Sequence, residues 1–237
     1  MLDNRFVVKV CGMTDAGNIS DVMASGADWI GLVFDEESPG CLRMRPAGSA
    51  IVPDGNGFAD GDDGLSLSSE DNRHGMLFGV FKDDMSQNII TRIVKYHLDG
   101  IQLDGNEPPV LIRNLRRSVV PDISNGIKVM KAIKVCCAED LQLCERYYDC
   151  VDCFLFEISF HLASGECGRD VMTVLSGYSG CVPFIIGGDI SYEDAARIKS
   201  FSHPRCIGVD IGQHFETEPG IKDALLIGKF ISGIRKP

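Results

Sequence analysis

Eight short apolar runs recur along this chain, at 6–11, 28–34, 77–81, 100–103, 127–133, 152–157, 182–187 and 206–210. Most lack the alternation of a half-exposed strand, as in Trp29-Ile30-Gly31-Leu32-Val33-Phe34 and Val182-Pro183-Phe184-Ile185-Ile186. Such runs suit parallel strands covered on both faces. Helix candidates separate them, at about 15–25, 86–97, 108–117, 138–147, 169–178 and 191–200, with a last one at about 219–234. Thr14 or Asp15 can cap the first of these and Asp83 or Ser86 the second. Pro108-Pro109 suits a first helical turn, and Ser191 precedes Glu193-Asp194. Eight strands followed in turn by helices predict an α/β fold, a single (β/α)8 TIM barrel over residues 1–237. One unit breaks the order. Residues 40–75 are rich in glycine, serine and acidic residues, contain Pro46 and Pro53, and carry no helical apolar stripe. The second helix is therefore expected to be missing or degenerate, replaced by a flexible loop.

Composition narrows the function. A formal charge of -11 argues against nucleic acid and against anionic membrane surfaces as partners. No apolar run approaches the ~20 residues needed to cross a bilayer. The ten cysteines do not read as a disulfide framework, because Met1-Leu-Asp-Asn-Arg5 opens no signal peptide. Cys136 and Cys137 are adjacent, and Cys150-x-x-Cys153 has no second pair. Reduced thiols in a cytoplasmic protein are expected. His74, His97, His161, His203 and His214 share no ligand spacing, so no metal site is expected.

In such a barrel the site lies at the carboxyl ends of the strands. Those exits deliver Cys11, Asp35, Asp104, Glu157, Gly187-Gly188-Asp189 and Asp210-Ile211-Gly212. Lys9 and Cys11 are two residues apart, so an extended strand points both to one face. Taken alone, Cys11 reads first as a small buried side chain, the commoner fate of a free cysteine. A thiol facing a carboxyl group across the barrel is a base and acid pair able to move a proton between carbon and oxygen. The glycine-rich exits of the last two strands suit a phosphate.

These residues fall into an ordered set of motifs: Lys9-Val-Cys11-Gly12-Met-Thr14, Gly26-Ala27-Asp28-Trp-Ile-Gly31-Leu-Val-Phe34 and Ser38-Pro39. There follow Gly79-Val80-Phe81, Gln102-Leu103-x-Gly105-x-Glu107-Pro108, Lys131-Ala132, Gly187-Gly188, Val209-Asp210 and Glu218-Pro219-Gly220-x-Lys222-Asp223. In this order the chain resembles the phosphoribosylanthranilate isomerase family, single-domain (β/α)8 barrels of tryptophan biosynthesis. The resemblance implies an Amadori rearrangement of a small phosphorylated substrate, without metal or organic cofactor, in a monomer or homodimer. It implies Cys11 as general base and Glu157 as general acid, with Lys9, Asp104, Gly187, Gly188, Asp210 and Gly212 as substrate or phosphate contacts. A cation such as Lys9 near the thiol would favour its thiolate form.

The departures from the family pattern fall mainly at the anthranilate end of the substrate; at the phosphate end the turn Asp210-Ile211-Gly212-Gln213 keeps Asp and Gly but loses the family's hydroxyl residues. Glu157 stands where the family has aspartate, Gly40 where it has an arginine that meets the anthranilate carboxylate, and Asp104 where it has histidine. Ala163-Ser164-Gly165-Glu166-Cys167 keeps only part of the family's Gly-Gly-Ser-Gly-Lys stretch. Arg43 or Arg45 could replace the missing arginine from the loop. Two rivals stay open at this point: a diverged isomerase of another phosphosugar amine, and a silent barrel that binds a phosphometabolite.

Overall fold

The structure, a computed structural model, describes residues 5–38, 40–42, 75–160 and 170–235. Strands β1 (Val7–Cys11), β2 (Trp29–Val33), β3 (Met76–Phe81), β4 (Gly100–Leu103), β5 (Lys128–Lys134), β6 (Cys153–Ser159), β7 (Phe184–Asp189) and β8 (Cys206–Ile211) close a parallel barrel in chain order. The helices α1 (Ala16–Ala24), α2 (Ser86–Tyr96), α3 (Pro109–Val119), α4 (Val171–Ser176) and α5 (Ala195–Ser200) lie between strands. A two-stranded hairpin, β9 (Glu216–Glu218) and β10 (Ile221–Lys222), precedes α6 (Ala224–Ile234). The barrel expected from the sequence is present. The expectation for the second helix falls on 43–74, outside the described residues; at its edge Cys41 makes a parallel bridge to Val33.

Alternate residues of each strand point inward and outward. The outward set, among them Val8, Ile30, Leu77, Ile101, Phe154 and Phe184, joins the main core under the helices. The inward set forms a smaller apolar plug of Val7, Trp29, Phe78, Met130, Ala132, Cys153, Leu155 and Ile185. Above that plug the inward positions turn polar, which is where a site can open.

At the amino ends of the strands one device repeats three times. Asp28, Asp99 and Asp152 each immediately precede an even-numbered strand. Each donates its N–H to the carbonyl of Val8, Leu77 or Val129 on the preceding strand, at 2.8, 2.9 and 2.8 Å. Each also accepts that same residue's N–H on its carboxylate, at 2.8 Å in all three cases. The two-point ring fixes register between β1 and β2, β3 and β4, and β5 and β6. The corresponding position before β8 is Arg205, and there the β7–β8 register shifts between Phe184 and Ile185.

Local chemistry corrects several sequence expectations. Asp15 caps α1 through Asn18 N–H, as one of its two candidates, but neither Asp83 nor Ser86 caps α2. Asp83 takes a left-handed backbone and accepts from Asn106 N–H, tying the β3 exit to the β4 exit. The helix expected at 138–147 is a 3₁₀ helix, Asp140–Tyr147. Its buried residues Leu141, Cys144 and Tyr147 are spaced by threes, the 3₁₀ period. Strands β6 and β7 each run two residues past their expected ends, so Gly187 and Gly188 are strand residues rather than a turn. The ladder continues through Glu157–Gly187, Ile158–Gly188 and Ser159–Asp189. Gly188 holds φ +102°, and a methyl group there would lie 2.3 Å from the Ile158 carbonyl oxygen. Only glycine fits that approach.

Asp152 also receives Arg116 on both carboxylate oxygens, at 3.2 and 3.0 Å. Asp152→Ala orphans the Val129 N–H and should cost about 1–3 kcal/mol in urea unfolding. Asp149→Ala, which removes the exposed Arg113 pair, should cost under about 1 kcal/mol. Equal losses would refute the register device.

Candidate active site

The site begins with a buried ion pair. Lys9 of β1 is wholly buried in the barrel and places Nζ 2.9 Å from Asp210 Oδ2 of β8. The strands pair these two residues directly, Lys9 against Asp210, so the ladder itself brings the charges together. Burial pushes the lysine's pKa down, but the Asp210 carboxylate and the Cys11 sulfur outweigh it, and Lys9 is held firmly protonated.

One pleat above Lys9 stands Cys11, half-buried. Its neighbour on β2 is Gly31. A methyl group at Gly31 would lie 2.8 Å from Cys11 Sγ and 3.0 Å from Lys9 Nζ. The missing side chain is therefore what lets thiol and ammonium crowd one space. Sequence reasoning expected Lys9 to favour the thiolate. Lys9 does pull in that direction, but burial outweighs it and Asp210 and Asp104 oppose it, so the thiol is pushed up to about 11.

On the opposite side, β6 carries Glu157 next to Gly187 of β7. A methyl group at Gly187 would lie 3.1 Å from Asp210 Cβ. Glu157, the gap at Gly187 and Asp210 thus follow one another across β6, β7 and β8. Burial raises the Glu157 pKa and Asp210 raises it further, against the pull of Lys131, Lys134 and Lys9. A carboxyl group raised in this way holds its proton to higher pH than an ordinary glutamate does, which suits a proton donor.

Asp104 follows β4 and is half-buried, with Oδ1 accepting from Gln102 Nε2 at 2.9 Å. Burial, then repulsion from Glu157, raises it to about 7, while Gln102 and Lys9 hold it down. The loop that presents it is anchored from behind. Buried Glu107 accepts from Asp83 N–H and Gly105 N–H at 2.9 and 3.1 Å. Lys131 lies 3.4 Å from the same carboxylate and donates to the carbonyls of Leu103 and Gly105, both at 2.8 Å. Lys131 is thereby committed to the outer side of the barrel wall. Asp35, the β2 exit, is on the rim, 3.7 Å from Lys82.

Gly187, Gly188 and Gly212 lie at the β7 and β8 exits; a methyl at Gly212 would approach the Cys11 carbonyl oxygen at 3.7 Å. At the same rim His214 pairs with Asp189, which also accepts from Ser159 Oγ at 3.3 Å. Sequence reasoning did not anticipate that pair. The described residues contain no cluster of His, Cys, Asp and Glu with the geometry of a metal site, and no helix long and apolar enough to cross a membrane. The nine described cysteines are free thiols. Glu166 and Cys167, and Arg43 and Arg45, lie outside the described residues.

Comparison with known proteins supplies the family. Residues 66–233 match the family described as N-(5'phosphoribosyl)anthranilate (PRA) isomerase. The N-(5'-phosphoribosyl)anthranilate isomerase of Parabacteroides distasonis is 32% identical over 231 residues, covering 98% of this chain and 94% of the relative. That of Phocaeicola vulgatus is 27% identical over 230 residues, covering 97% and 98%. Among solved structures, phosphoribosyl anthranilate isomerase from Thermotoga maritima shares the fold with a TM-score of 0.70 at 22% identity, covering 96% of this chain and 98% of that one. A second, in complex with reduced 1-(o-carboxyphenylamino)-1-deoxyribulose 5-phosphate, superposes with a TM-score of 0.69 at 21% identity, covering 96% and 97%. With a matched span of most of the chain and a relative above 30% identity, this chain belongs to the N-(5'-phosphoribosyl)anthranilate isomerase family.

Proposed function

We propose that this chain converts N-(5-phosphoribosyl)anthranilate to 1-(2-carboxyphenylamino)-1-deoxyribulose 5-phosphate in tryptophan biosynthesis. The observation that carries the reading is the buried Lys9–Asp210 pair, with the Cys11 thiol one pleat above Lys9 and the raised carboxyl of Glu157 two strands along from Asp210. Glu157 donates its proton to the ribose ring oxygen. The C1'–O bond breaks as the nitrogen lone pair forms the Schiff base. Cys11, as thiolate, takes the proton from C2', and the released electron pair closes the enolamine and neutralises the nitrogen. Tautomerisation gives the aminoketone. One proton leaves the acid and one reaches the base, so the step is balanced without an electron acceptor.

The substrate carboxylate would meet an acidic wall here, with Asp104 beside Glu157. Asp104 in its protonated form supports the reading, because a neutral carboxyl donates a hydrogen bond where a carboxylate would repel. The β7 and β8 exits, with Gly187, Gly188 and Gly212, are the proposed phosphate end.

Cys11→Ala and Glu157→Gln should each lower kcat by about 10²–10⁴-fold, the usual contribution of a positioned base or acid, with unchanged circular dichroism. A Cys11→Ala enzyme that keeps most of its turnover would sink the assignment of the base.

Asp104 gives a pH test. Its carboxylate holds the Cys11 thiol up, so Asp104→Asn should let the thiolate form at lower pH. The rising limb of kcat/KM should move to lower pH; a limb that stays in place or moves up contradicts the coupling. Stability should follow the same group. A carboxyl raised in the fold to about 7 stabilises fully below its unfolded value, and that contribution is lost as pH rises through 7. Asp104→Asn should therefore gain about 1–3 kcal/mol on the wild type between pH 5 and pH 8 in chemical unfolding.

A further inference from the structure

The hairpin β9–β10 brings a second lysine to the back of the Cys11 turn. Lys222 is buried, with Nζ 2.5 Å from Glu216 Oε1. Its backbone is gripped on both sides by one side chain: Lys222 N–H donates to Asn18 Oδ1 and Asn18 Nδ2 donates to the Lys222 carbonyl, both at 2.8 Å. Glu216 Oε1 also accepts from Gly220 N–H at 3.3 Å, and the Gly220 carbonyl accepts from Thr14 N–H at 3.2 Å. The hairpin is thus fastened to the turn that follows β1. Gly12, next to Cys11, has φ +77°, and a methyl group there would lie 3.4 Å from Lys222 Nζ and 3.9 Å from Glu216 Oε1. An ammonium held this rigidly against the turn has no role in the proton transfers described above.

We propose that Lys222 is a positioning residue that assists the ionisation of Cys11 from behind the Gly12 turn, with Glu216 as the counter-charge that moderates it. The charges acting on the thiol come from several elements: Lys9 of β1, Asp104 after β4, Asp210 of β8 and Lys222 of β10, with Glu216 of β9 paired to Lys222 behind the turn. Two carboxyl groups, Asp210 and Asp104, oppose one interior lysine. Lys222 adds the second cation from outside the ring of strands, and it pulls both Cys11 and Asp210 toward their anionic forms. The sequence separation of more than two hundred residues is bridged by the Asn18 clamp, so the arrangement is built by the fold and not by neighbouring sequence.

The inference rests on Cys11 being the base, and the test reads the thiol rather than turnover, so the two can fail separately. The full-length protein is alkylated with iodoacetamide across a pH series, and modification of Cys11 is followed by peptide mass spectrometry. Lys222→Met should raise the apparent Cys11 pKa, slowing its alkylation at pH 8 by about threefold, which is a shift of about half a unit. Glu216→Gln should lower it and speed the reaction by a similar factor. Lys222→Arg, which keeps the cation, should titrate close to the wild type. A purely structural role would shift neither variant, or both in the same direction, and either result overturns the proposal. If Lys222→Met fails to fold by circular dichroism, Glu216→Gln decides alone: a lowered pKa supports the proposal, and an unchanged or raised one refutes it.

Discussion

The Lys9–Asp210 pair is the constraint around which the barrel mouth is organised. A lysine wholly inside a barrel cannot stay charged without a partner, and an isolated buried charge would cost many kcal/mol. Asp210 supplies that partner from the strand that closes the ring onto β1. The pair therefore couples barrel closure to the electrostatics of the site. Removing either member would strand the other, which in buried pairs costs about 3–5 kcal/mol. Everything above the pair then follows from geometry: residues one pleat higher, Cys11 among them, stand on an ion-paired floor.

Two glycines turn that floor into a site. Gly31 on β2 leaves room for the Cys11 sulfur beside the Lys9 ammonium, and Gly187 on β7 leaves room between Glu157 and Asp210. Side chains at these inward positions would extend the apolar plug of Trp29, Phe78 and Leu155 upward and fill the mouth. Glu157 and Cys11, the proposed acid and base, are separated by absences as much as they are held by contacts. The three aspartate rings below the plug fix the register that puts those absences at the right height.

Much of this was legible in the sequence, for identifiable reasons. The eight apolar runs are long and unbroken because parallel strands are covered on both faces, so the barrel could be read directly. Cys11 and Glu157 could be found because each closes such a run. Strands β6 and β7 outrun their apolar runs because Gly188 allows the close approach to Ile158 that continues the ladder. The 3₁₀ helix was taken for an α-helix because a spacing of three is common to both periods over one or two turns. Lys222 was visible only as part of a motif. Its place behind Gly12 depends on a hairpin whose register is set by Asn18, and no local pattern encodes that. The same holds for Asp104: its charge state is set by burial and by Glu157, two facts that belong to the fold.

Two of the departures that separate this chain from its family's pattern, Glu157 and Asp104, act on one quantity, the proton count of the mouth. Glu157, Asp104 and Asp210 surround Lys9, and full ionisation of all three would leave the interior net negative next to a thiol that must itself become an anion. Forming the Cys11 thiolate near neutral pH, from a value of about 11, costs on the order of 5 kcal/mol. Each proton kept on a neighbouring carboxyl reduces that cost, because it removes a repelling charge. A protonated Glu157 is what the acid role requires, and a protonated Asp104 is what a carboxylate-bearing substrate requires. The two demands on the carboxyls and the demand on the thiol thus point the same way, so histidine can be exchanged for aspartate at this rim without reversing the chemistry, provided that the aspartate stays buried enough to hold its proton.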